Sequence, residues 1–165
     1  MNLSNLAKTA AILNQETLDL NKIIENFEQS LIQASPGIEV WTSTILEPQS
    51  KKDCITKLFF FSGWVLGFCK VKHNWRLAVK PMSMSASTDS PPPFEKWIDS
   101  RRKDEQSNRH LPVPLLTASR VIRSAALSQF DALVTELETT IQKCICDVQE
   151  AKSKVQVVLT KIESE

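Results

Sequence analysis

Residues 64–82, WVLGFCKVKHNWRLAVKPM, decide the class of fold. β-Branched and aromatic residues dominate the stretch, and charged and apolar residues alternate along it. His73-Asn74 interrupts it, and Asn tolerates the positive φ that a two-residue turn demands. The stretch therefore predicts an antiparallel hairpin. Lys70 and Lys72 on one strand and Arg76 and Lys80 on the next are expected to share one side, with Trp75, Leu77 and Val79 on the other and His73 at the corner. Upstream, CITKLFFF (54–61) reads as a strand ended by a tight turn at Ser62-Gly63, and GIEVWTSTIL (37–46) as one more. Together these segments predict a three- to four-stranded antiparallel β-meander over 37–82.

Glycine and proline mark where the meander gives way to helix. All three glycines and all eight prolines fall between Pro36 and Pro114, so the flanking segments contain neither breaker. On the N-terminal side, Leu3, Leu6, Ala10, Leu13, Thr17, Leu20, Ile24, Phe27 and Leu31 recur at alternating intervals of three and four, the heptad seam of a packed helix over 1–35. Ile12, Leu18, Ile23 and Ile32 lie off that seam and widen the apolar face. On the C-terminal side, Phe130, Leu133, Leu137, Ile141, Cys144, Val148, Ala151, Val155, Val158 and Ile162 repeat similarly, with one additional four-residue step. Extended back through Ala126 and Ile122, this stripe predicts a single very long helix over 117–163. Ser4 and Thr117 are the expected N-caps.

Residues 83–114 differ in kind. The stretch 81–114 holds six of the eight prolines, and it includes the charge run DSRRKDEQSNR. The reading is a Pro-rich, charged loop with a short helix at 94–101. The whole chain is thus expected to be one α+β domain over 1–165. Its long helices would pack either as a helical hairpin or as a coiled-coil-like dimer. Leu13, Leu20, Ile24, Phe27, Ile141, Val148, Val155 and Ile162 are the candidate oligomer contacts.

Charge is divided along the chain. Residues 1–50 carry two basic and six acidic side chains, 51–123 fourteen and six, and 124–165 four and seven, so a basic middle lies between acidic ends. Lys70, Lys72, His73, Arg76, Lys80, Arg101, Arg102, Lys103 and Arg109 form the candidate surface for a partner or a nucleic acid. Arg120 and Arg123 share a face at the start of the last helix, where the helix dipole disfavours cations. Pairing with Glu25 or Glu28 of the N-terminal helix, or with a partner's anion, would account for them.

No phosphate loop, nucleophile elbow or His-Glu-x-x-His motif occurs, so no catalytic residue, metal ligand, cofactor or small-molecule substrate is assigned. Cys69 and His73, four apart on a strand and its turn, are too far separated for a shared metal. The chain has neither a basic, apolar secretory start nor an apolar run long enough to span a membrane. With four cysteines and no such signal, a cytoplasmic setting with free thiols is expected. The functional expectation is a non-enzymatic assembly subunit, an adaptor or chaperone-like protein, working as a homodimer or within a larger complex. A nucleic-acid-binding subunit using 68–80 and Arg101–Arg109 is the alternative.

Overall fold

The computed structural model describes residues 3–34, 37–52, 59–86 and 111–163. The chain is α+β. A long helix α1 (Leu3–Ala34) leads into strands β1 (Val40–Lys52), β2 (Phe59–Val71), β3 (Asn74–Ala86) and β4 (Val113–Pro114). A 3-10 turn (Leu115–Thr117), a short helix α2 (Arg120–Leu127) and a second long helix α3 (Phe130–Glu163) complete it. The strands form one antiparallel sheet in the order β1-β2-β3-β4, the expected meander.

Helices cover one face of this sheet. Val40, Leu46, Leu66, Phe68, Leu77 and Val79 meet Ile24 and Leu31 of α1, Leu115 of the 3-10 turn, Ile122 and Ala126 of α2, and Leu133 and Leu137 of α3. The two long helices touch through a stack of Phe27 on Phe130, with ring centroids 4.1 Å apart. A smaller cluster on the opposite face joins Val65 and Met82 to Trp41 and Ile45.

Several local expectations are corrected. Ser62-Gly63 is not a turn: β2 runs straight through it, paired to Ser83 and Met82 of β3. A Cβ at Gly63 would lie 2.3 Å from Ile45 Cγ2 and 3.1 Å from the Leu46 carbonyl, so the glycine permits close approach of an irregular β1. The hairpin turn is Lys72-His73, one residue earlier than expected. Both have positive φ, and Val71 pairs with Asn74. The 117–163 helix is broken. Thr117 Oγ1 donates to the Pro114 carbonyl, Ser119 caps α2, and at the far end Gln129 N bonds back to Ala126 O while Ser128 Oγ donates to Ala125 O. Ser4 lies inside α1 rather than capping it. Loop 83–114 also gives up its ends to structure: β3 extends to Ala86, and Val113–Pro114 adds the fourth strand. The short helix expected at 94–101 lies outside the described residues.

Candidate interaction surfaces

A two-residue turn fixes which side chains share a face. Residues directly opposite one another project together, and here even-numbered residues of β2 stand opposite odd-numbered residues of β3. Lys70 therefore lies opposite Trp75, on the helix-covered face, with its Nζ 5.5 Å from the indole centroid. Arg76 and Lys80 alternate to the other side of β3, from which the Arg76 guanidinium still reaches Glu28 of α1. The expected four-cation surface, with the apolar residues behind it, does not form, because the parity of the register separates it.

Each cation has its own surroundings. Lys80 Nζ lies 4.3 Å from the centroid of Trp41, whose indole N–H donates to Glu39 Oε1 at 2.7 Å. Arg76 donates to Glu28 Oε1 at 3.0 Å, and the same buried carboxylate accepts the Leu77 backbone N–H at 2.8 Å. Lys70, Lys72 and His73 are exposed, the last two on the turn itself, whereas Arg76 and Lys80 are half-buried. Arg101, Arg102, Lys103 and Arg109 lie outside the described residues.

The helix-start arginines reach α1, though not at the expected residues. Arg123 donates to Asn21 Oδ1, and its Nε is buried without a partner among the described residues. Glu28 is already held by Arg76 and Leu77, and Glu25 faces solvent. Arg120 is exposed.

The heptad seams divide into two parts. Ile24 is fully buried, so it serves the chain's own fold, and Leu20, Phe27 and Ile141 are half-buried against the core. Beyond them both seams run free. Every residue from 3 to 16 of α1 is exposed, including Leu13, and so is every residue from 142 to 156 of α3, including Val148 and Val155. Ile162 falls within α3. Each bare stretch is about 20 Å of helix, a length that is marginal in water without a packed face.

Cys69 is inert in this setting. It is buried on β2, and burial, reinforced by the negative charge of Glu39, pushes its thiol from an ordinary 9.0 up to about 12. Native protein treated with iodoacetamide at pH 8 should be alkylated at the exposed Cys146 and spared at Cys69 until it is unfolded. Rapid native labelling of Cys69, read by peptide mass spectrometry, would contradict this. Because the folded thiol titrates later than the unfolded one, its protonated form supports the fold below about pH 9. That support is lost as pH rises towards 12.

No described helix is long and apolar enough to cross a membrane. The chain matches no family model, and the searches of curated proteins and of solved structures found no match.

Proposed function

We propose that this chain is a non-enzymatic assembly subunit: a sheet-and-helix core carrying two helical arms that associate with other protein chains. The observation that carries the reading is the exposure of heptad-spaced apolar residues on both arms: Leu3, Leu6 and Leu13 on α1, Val148 and Val155 on α3. Water-exposed apolar seams of this length mark protein contacts in soluble folds. A cytoplasmic setting fits the free thiols of Cys69, Cys144 and Cys146. The Lys72-His73 turn offers a small additional polar contact at the sheet's tip.

Light scattering on the purified protein should report a dimer or a larger species at micromolar concentration. Val148→Asp places a charge in the seam and should weaken association about thirty-fold, roughly 2 kcal/mol, with Leu13→Asp testing the α1 arm in the same way. Neither side chain belongs to the core, so the circular dichroism and melting of the core should persist. A wild-type monomer at high concentration, unaffected by either substitution, would refute the reading.

A further inference from the structure

The α3 arm carries more information than an apolar stripe, and it concerns which partner the arm takes. In its heptad frame Val148 and Val155 occupy a positions, and Cys144 and Ala151 occupy d. Among parallel coiled coils, β-branched residues at a disfavour higher-order bundles most clearly with Leu at d, and here the d residues Cys144 and Ala151 are small, so the orientation rests on the flanking charges. Asp147 and Lys152 are the flanking g and e residues. Among the described residues neither forms an ion pair, whereas the neighbouring Lys154 is held by Glu150 at 2.6 Å.

Asp147 and Lys152 are five apart and flank opposite sides of the seam, so they cannot pair within one helix. In a parallel, in-register dimer a g residue faces the e residue five positions later on the other strand, and two-fold symmetry makes that contact twice. An antiparallel pair would instead offer Asp147 to Lys154, already engaged, and would leave Lys152 against an apolar e position. The bare stretch of α1 has no such code: its e positions are Ala7 and Asn14, and its g positions Thr9 and Glu16.

From this we propose that α3 pairs with α3 of a second copy, parallel and in register, with Asp147 of each facing Lys152 of the other. The proposal rests on the assembly reading and specifies its partner and geometry. It places the two Cys144 side chains in one d layer and puts Cys146 at an outward f position.

The test uses the full chain with Cys54→Ser and Cys146→Ser. Diamide takes up two electrons and two protons as two thiols join, so a disulfide-linked dimer should appear on a non-reducing gel and vanish on adding Cys144→Ser. In the Cys144→Ser chain under reducing conditions, sedimentation should find that Asp147→Lys or Lys152→Asp alone weakens the dimer about tenfold. The double exchange should restore it to within about twofold. A dimer that neither cross-links through Cys144 nor recovers on double exchange would overturn this pairing and leave the assembly reading standing. A monomer throughout would overturn both.

Discussion

Gly67→Ala is expected to destabilise the fold by about 3 kcal/mol, the upper end of the range for overpacking. Gly67 stands opposite Trp41 in the β1–β2 register. A Cβ on it would lie 2.3 Å from Trp41 Cε3, 2.5 Å from Cδ2 and 2.7 Å from the Val40 carbonyl oxygen. The indole resists displacement, because Glu39 accepts its N–H and Lys80 lies over its ring. The backbone oxygen can retreat only if β1 moves away from β2. For a chain of this length the melting midpoint should fall by roughly 10 °C. In a Trp41→Ala background the ring clash is absent and only the Val40 contact remains, so the same Gly67→Ala substitution should cost less than half as much. A Gly67→Ala protein that melts within about 2 °C of wild type would mean that Trp41 does not lie across this glycine.

Gly67 and Gly63 also illustrate why local sequence misleads in one place and informs in another. Glycine beside serine announces a turn, and the same residue also serves wherever two backbones come close; only the neighbouring strand tells them apart. Pro48 carries a similar ambiguity. It sits inside β1, which is tolerable because β1 is an edge strand with its register shifted between Leu46 and Gln49. The helix break after Leu127 was hidden for another reason. Ile122, Ala126 and Phe130 keep a regular four-residue interval straight across it, so the apolar stripe continues while the backbone does not. The α+β class, the meander order and both long helices were legible, since each rests on a period sustained over many residues.

The candidate surfaces were less legible. Leu13 and Ile24 occupy equivalent kinds of seam position and read alike, yet Ile24 lies in the core and Leu13 faces water. Periodicity reports that a face must be covered and is silent on what covers it. The basic hairpin failed on a rule that sequence did contain. Across any two-residue turn the parity of residue numbers assigns faces, and it places Lys70 with Trp75 rather than with Arg76. The destination of Arg76 was not accessible in this way, because its partner lies 48 residues upstream.

That partner sets the second large expectation. Glu28→Ala should cost about 3 kcal/mol, because it strands a buried backbone donor and an arginine together. Glu28 is 3 % exposed, on α1 between the core residues Ile24 and Leu31. One carboxylate oxygen takes the Leu77 N–H and the other takes Arg76, tying the helix to β3 through backbone as well as side chain. The two contacts differ in weight. The Arg76 side chain is 42 % exposed, so solvent screens its share, whereas the Leu77 amide is buried and has no water to replace the lost acceptor. Glu28→Gln keeps an amide oxygen for Leu77 but gives up the charge and the acceptor facing Arg76, so it should cost about 1 kcal/mol, similar to Arg76→Ala. Denaturant titration should therefore rank Glu28→Ala well above the other two. Amide exchange supplies a separate readout: Leu77 should lose protection in Glu28→Ala and retain it in Glu28→Gln. Equal destabilisation by Glu28→Gln and Glu28→Ala would show instead that the charge, and not the backbone acceptor, holds α1 to the sheet.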